Sequence, residues 1–182
     1  MTNIQTERLN LRPFTLEDAC DVQKICDSQD IYATTANLPH PYTIECAQGW
    51  ISCHKANFEN NAHYELAITD KSSGKLIGCV GLSNDKKNKN GEIGYWIDKQ
   101  YWNRGYCTEA VNALIDYAFK KMDYIRVFAR HFSINPASGR VMRKAGMSKE
   151  GYQKQAINKN GKFLDIELYA IIKDEWSENR DN

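Results

Sequence analysis

The chain has 182 residues, 42% of them hydrophobic, with 24 lysines and arginines against 23 acidic residues and a formal net charge of +1. That composition suits a single domain over residues 1–182 with a proper core and excludes a disordered chain. The near-balanced charge gives no bulk reason to expect nucleic acid or an anionic membrane as partner, so any anion site must be local.

The N-terminus lacks an apolar stretch after a basic start, and no run approaches the roughly 20 apolar residues that span a bilayer. This points to a cytoplasmic protein. Leu9-Asn10-Leu11-Arg12 alternates as a short strand, and Thr15 with Glu17 and Asp18 then starts a helix carrying Ala19, Val22 and Ile25 on one stripe. Asp30 to Thr43, with Pro39 and Pro41, is expected to be a loop bordering a pocket. Thr43 caps a second amphipathic helix through Ala47, Trp50, Ile51, His54 and Phe58. Tyr64 to Thr69 and Lys75 to Leu82 are strands joined by the turn Asp70 to Gly74. A polar loop, Asp85 to Gly91, leads to the strand Glu92 to Asp98.

Six cysteines, Cys20, Cys26, Cys46, Cys53, Cys79 and Cys107, lie mostly within these patterns without a C-x-x-C pair, which favours free buried thiols over bridges. Cys53-His54 is the one Cys/His neighbour pair, and adjacent helical residues point about 100° apart. No metal site is expected.

Tyr101 to Val111 joins a glycine-bearing turn to a helix directly after a strand. Free N–H groups at a helix start, with the helix dipole, attract an anion, and a residue without a side chain lets the backbone approach it. Arg104 adds a charged fork. On this evidence alone the turn reads equally as a phosphate site or as a turn without a ligand. Val111, Leu114, Ile115, Ala118 and Met122 then form the apolar stripe of that helix, and Ile125 to Phe132 is a strand. Asn135 caps a helix beginning at Pro136 and stopped by Gly146. Asn160-Gly161 suits a primed turn in a closing hairpin, where Leu164, Ile166, Leu168 and Ala170 alternate with Asp165, Glu167 and Tyr169. The expected fold is an α/β sandwich, a mixed sheet of about six or seven strands flanked by helices.

The segment Trp102-Asn103-Arg104-Gly105-Tyr106-Cys107 resembles the acetyl-coenzyme A loop of the Gcn5-related N-acetyltransferase superfamily, which reads Gln/Arg-x-x-Gly-x-Gly/Ala before a helix. The strand Gly91 to Asp98, the tail Thr108-Glu109-Ala110, Asn135-Pro136-Ala137-Ser138 and Lys144-Ala145-Gly146-Met147 resemble its RimJ/RimL-like branch in the same order. The resemblance runs from about residue 6 to about 176. Trp102 and Cys107 depart from the wider pattern, the first in a way usual for the branch.

The resemblance implies an enzyme that uses acetyl-coenzyme A to acetylate a primary amine. The RimJ/RimL-like resemblance suggests the N-terminal amine of a ribosomal or other protein as acceptor, and the alternative, from related branches, is a small amine such as a polyamine or aminoglycoside. A silent acyl-coenzyme A binder of the same fold is the rival reading. A homodimer is among the expected assemblies. Asn103, Arg104, Gly105, Tyr106, Cys107 and Thr108 would hold the cofactor phosphates, and Trp96 and Ile97 would lie along its pantetheine arm. Asn135 and Ser138 would also touch the arm. Arg143 and Lys144, on the later helix, would reach the 3′-phosphate, against the plainer reading of solvated helix charges.

Glu92 matches a position where the superfamily carries a general base, and Ser138 one assigned as proton donor to the departing thiolate. Tyr95, Tyr106 and Tyr169 are rival donors. Plainer readings stand beside these: Glu92 paired with a lysine such as Lys89, Asn135 and Ser138 as helix caps, Glu109 as structural, His131 packed, and His40 as a pocket-loop residue. Asp165 and Glu167, sharing one face, would attract a cationic acceptor if that face met the cleft; the plainer reading is a solvated outer face.

Overall fold

The computed structural model describes residues 3–60 and 62–181. Its strands are Ile4–Gln5 (β1), Leu9–Pro13 (β2), His63–Asp70 (β3), Leu76–Asp85 (β4), Asn90–Ile97 (β5), Arg126–Phe132 (β6), Ser148–Lys159 (β7) and Lys162–Ile172 (β8). Its helices are Ala19–Cys26 (α1), Gln29–Thr34 (α2), Ile44–Glu59 (α3), Tyr106–Lys121 (α4), Pro136–Lys144 (α5) and Lys173–Asp181 (α6). One sheet runs in the order β1-β2-β3-β4-β5-β6-β8-β7, with β5 and β6 its parallel pair.

The helices cover both faces because each strand in the middle of the sheet is apolar on both. Leu9, Leu11, Ile68, Ile77, Val80 and Leu82 pack on one face against Val111, Leu114, Ile115 and Ala118 of α4. On the other face Ala67 and Cys79 meet Val22 and Ile25 of α1 and Ala47 and Ile51 of α3. Each fully buried Leu or Ile contributes about 1.5–3 kcal/mol relative to exposure.

Three differences from the sequence reading have local causes. The sheet has eight strands, because Ile4 and Gln5 pair with Leu11 and Asn10 in a strand too short to show a period. The segment expected as loop from Asp30 begins inside the short helix α2, which carries the single buried residue Ile31 and so no stripe. The polar loop Asp85 to Gly91 shrinks to a turn at 86–89, with Lys89 at φ 49°, between strands that extend into it. All six cysteines are free, but Cys20 and Cys53 are exposed while Cys26 and Cys79 are buried.

What positions the site is a fork. β5 and β6 pair only through Asn90↔Arg126, Gly91↔Val127 and Glu92↔Phe128. Beyond that, β5 stays with β4 as far as Ile97, while β6 stays with β8 as far as Phe132. The two strands therefore part company after Glu92, leaving one edge of β5 without a strand neighbour.

His54, on α3 beneath Trp50, is 4% exposed, and neither ring nitrogen has a hydrogen-bond partner. Burial lowers its pKa to about 4, below the unfolded value of about 6.5. The unfolded chain therefore takes up this proton first as pH falls. Stability is full above about pH 6.5 and declines between there and about pH 4, by up to about 3 kcal/mol. Urea unfolding at pH 7 and pH 4.5 checks this: His54→Phe is expected to reduce the difference between the two.

Candidate active site

Asn103 (φ 60°) and Gly105 (φ 82°) carry the chain from the 3-10 turn Lys99–Tyr101 into α4 through the left-handed region. Gly105 is the N-cap, and its carbonyl accepts from Glu109 N–H (3.0 Å). The N–H groups of Tyr106, Cys107 and Thr108 are those that a helix leaves without an internal acceptor. Together with the dipole they make a seat for a phosphate. Burial pushes the Cys107 thiol up to about 12, so it stays a neutral packing group at the seat.

The turn is held from the far end of the sequence. Glu109 Oε1 accepts from Thr6 Oγ1 (2.6 Å) and Arg8 N–H (2.9 Å), and its Oε2 accepts from Arg8 Nε (2.7 Å). Desolvation raises the Glu109 pKa, but these hydrogen bonds outweigh it and hold the carboxyl below its usual value. Arg8 then donates from Nη1 to Arg104 O (3.0 Å) and lies over the Tyr106 ring, 4.5 Å from its centroid. Glu109 is structural, and the role of Arg8 was not legible in sequence. Arg104 leans over Tyr101, 5.6 Å from its centroid.

Along the fork, the N–H of Asp98 goes to Ile77 O on β4 (2.8 Å). Strand alternation therefore turns the backbone of Trp96 toward β4 and that of Ile97 and Tyr95 toward the open edge. Ile97 O accepts from Trp102 Nε1 (2.7 Å), which ties the strand end to the turn. Trp96 presents its indole to the α3 face, packed near Trp50.

On the opposite face Tyr95 Oη lies 2.8 Å from Ser138 Oγ and 3.0 Å from Ser138 O. The phenol can donate to the carbonyl while the serine hydroxyl donates to the phenol. Burial pushes the Tyr95 phenol well up, so it remains a proton donor at neutral pH. Two of the rival donors are thus one pair. Tyr106 packs under Arg8, and Tyr169 is a core residue whose hydroxyl accepts from Arg143 Nη1 (2.9 Å) and donates to Glu167 (3.1 Å). Arg143 is thereby engaged in seating α5. Asn135 caps that helix, its Oδ1 accepting from Ser138 N–H (3.3 Å).

Glu92 stands at the apex of the fork. Its partner is Arg130 on β6, which donates from Nε to Oε1 (2.7 Å) and from Nη2 to Oε2 (2.9 Å). Lys89 instead pairs with Asp123 (2.7 Å). The hydrogen bonds that Arg130 donates to Glu92 raise its own pKa. Two residues on, Gly94 is exposed, with open space where a Cβ would be. Trp96 follows on the same face. Between a carboxylate and an indole, the sheet is bare.

Asp165 and Glu167 do share one face, and it is not the face of the fork that carries Glu92. They share a face with His131, Ala129 and Val127, the α4 and α5 face, away from Glu92 and Trp96. Asp165 accepts from Tyr152 Oη and Gln155 N–H, and Glu167 from Lys149 (3.0 Å), so both carboxylates are already engaged. His131 is buried beneath Gly139, and His40 lies 4.9 Å from Tyr32, centroid to centroid. Among the described residues no cluster of three metal-ligating side chains occurs.

Residues 8–148 match the family model of an acetyltransferase (GNAT) domain. The chain belongs to the GNAT acetyltransferase family. It is 30% identical to the "uncharacterized N-acetyltransferase YoaA" of Bacillus subtilis (strain 168), over 93% of this chain and 96% of that one. It is 34% identical to the ribosomal-protein-serine acetyltransferase of Escherichia coli (strain K12), over 55% of this chain and 56% of that one. Its fold also matches RimL, a ribosomal L7/L12 alpha-N-protein acetyltransferase solved with coenzyme A. The TM-score is 0.86 at 21% identity, over 96% of this chain and 99% of that one. Within the family this GNAT enzyme falls in the RimJ/RimL-like branch, and it is an N-acetyltransferase.

Proposed function

We propose that this N-acetyltransferase seats acetyl-coenzyme A between the α4 turn and the β5–β6 fork and transfers its acetyl group to a compact primary amine lying over Gly94. The observation that carries the reading is the bare, exposed Gly94, flanked by Glu92 and Trp96 on one face of a forked strand whose other face holds the Tyr95–Ser138 pair. The residues fit the co-substrate: amides at a helix start for phosphates, and an unpaired strand edge for an extended amide-bearing arm.

The roles then divide across the fork. The N–H groups of Tyr95 and Ile97 face the thioester oxygen and stabilise charge developing on it. Glu92, with lone pairs remaining beside its two bonds to Arg130, takes the amine's proton directly or through water. Ser138, backed by the Tyr95 phenol, donates a proton to the leaving sulfur. Glu92→Gln is expected to lower turnover about 10²–10⁴-fold, chiefly at low pH where the acceptor amine is protonated. A pH–rate profile unchanged by the substitution would remove Glu92 from the mechanism.

A compact acceptor is favoured because the two walls of the acceptor cleft are joined. Lys159 donates to the carbonyls of Tyr32 and Thr35 and lies 4.0 Å from the Tyr32 ring centroid, while Asn160 donates to the Tyr32 hydroxyl. An extended peptide would need that groove open. The second reading, a protein N-terminus, rests on relatives named as ribosomal-protein acetyltransferases. Initial rates with an N-terminal peptide, spermidine and an aminoglycoside separate the two, and activity confined to the peptide would overturn the compact-acceptor reading. No turnover with any amine, despite coenzyme binding, would support the silent binder.

A further inference from the structure

His131, next to last in β6, turns its ring toward α5, and its side chain is 4% exposed. Nδ1 lies 2.8 Å from the carbonyl oxygen of Phe132. A carbonyl can only accept, so Nδ1 carries the proton and the ring is pinned to the chain beside it. The same carbonyl accepts from the N–H of Asn135 (2.8 Å), the cap of α5. From that cap the hydrogen bonds run on: Asn135 Oδ1 accepts from Ser138 N–H (3.3 Å), and Ser138 Oγ meets Tyr95 Oη (2.8 Å).

The far side of the ring meets the helix a second time. A Cβ on Gly139 would lie 2.8 Å from Nε2 and 3.2 Å from Cε1, so the missing side chain is what lets α5 come this close. The ring has little room to yield, because Nδ1 is tied to Phe132 and Tyr169 lies alongside, 5.6 Å between centroids. Nε2 has no hydrogen-bond partner and stands 3.5 Å from Glu167 Oε2. That carboxylate accepts instead from Lys149 (3.0 Å) and from Tyr169 Oη (3.1 Å), which in turn accepts from Arg143 of α5 (2.9 Å). The imidazole thus gives the polar network under α5 no hydrogen bond. What it brings is a rigid ring in a fixed orientation.

We infer that His131 is a positioning residue for Ser138: joined to the α5 cap through the Phe132 carbonyl and pressed against Gly139, it sets the first turn of α5 at the height that brings the Ser138 hydroxyl to Tyr95. This rests on Ser138 being the proton donor to the departing thiolate. The two contacts bracket the serine, with the cap Asn135 before it and Gly139 directly after it, so the turn neither tilts nor slides without disturbing one of them. Placement of this kind matters for rate. A displacement of about 1 Å in a reacting group can cost on the order of 10²-fold.

Gly139→Ala sets a methyl group against the pinned ring and is expected to lift the turn, slowing single-turnover acetyl transfer by roughly 10²-fold while the KM for acetyl-coenzyme A changes only a few-fold. His131→Asn keeps an N–H donor near the place of Nδ1 and removes Nε2 and Cε1. Added to Gly139→Ala, it should bring the rate back to within a few-fold of the parent's. A double variant as slow as Gly139→Ala alone overturns the inference, since the methyl group would then act through something other than the ring.

Urea unfolding keeps this separate from the proposed reaction. In the parent, Tyr95→Phe is expected to lower the unfolding midpoint, because Ser138 loses its hydroxyl partner. In the Gly139→Ala protein, where the two hydroxyls already stand apart, the same substitution should lower it by much less. If that difference is found while Gly139→Ala transfers acetyl at the parental rate, the positioning role is supported and Ser138 is not the acid. An equal cost of Tyr95→Phe in both backgrounds overturns the positioning role whatever the turnover.

Discussion

Replacing Gly105 with valine is expected to weaken acetyl-coenzyme A binding by roughly 10²–10⁴-fold, the loss of two charge-assisted amide contacts to phosphate. The residue sits at φ 82°, where a β-branched side chain is an outlier, and its new Cβ would lie 3.3 Å from Arg8 Nη2. The chain can relieve both only by moving the N-cap of α4 or displacing Arg8, and either shift misaligns the amides of Tyr106, Cys107 and Thr108. Calorimetric titration with acetyl-coenzyme A reads the result. Parental affinity in the valine variant would mean that the phosphates are held elsewhere.

Removing either hydroxyl of the Tyr95–Ser138 pair is expected to slow the chemical step by about 10²–10⁴-fold, with the KM for acetyl-coenzyme A changed only a few-fold. Ser138→Ala removes the hydroxyl proposed to protonate the leaving sulfur, and Tyr95→Phe removes the phenol 2.8 Å from it. Because the two act through one another, the double variant should be about as slow as the slower single one. Multiplicative losses would show two independent roles. If both single variants keep the parental single-turnover rate, the proton comes from water.

Local chemistry was readable in the sequence. Asn135 as cap, Gly146 at φ 83° as stop, the Asn160-Gly161 turn and the left-handed Gly105 each follow from a few neighbouring residues. What was not readable is whatever depends on strand register. Tyr95 meets Ser138 across 43 positions, and Glu92 meets Arg130 across 38. Lys89, the nearer candidate partner for Glu92, turned to Asp123 because the turn at 86–89 throws it toward the end of α4. Alternation correctly put Asp165 and Glu167 on one face but could not say which, since a one-residue shift in β8 would exchange the faces. Gly94 is the sharpest case: it is unremarkable in sequence, and only the strand pairing shows it bare between Glu92 and Trp96.

Arg8 joins the first strands to the turn at Arg104 and to Glu109, about a hundred residues later. During synthesis the amino-terminal segment must therefore wait, exposed, until α4 has emerged before its guanidinium has anywhere to go. In the finished enzyme the dependence runs the other way. A ligand that tightens the turn also fastens the end of the chain, so amide hydrogen exchange in residues 6–9 becomes a remote gauge of coenzyme occupancy.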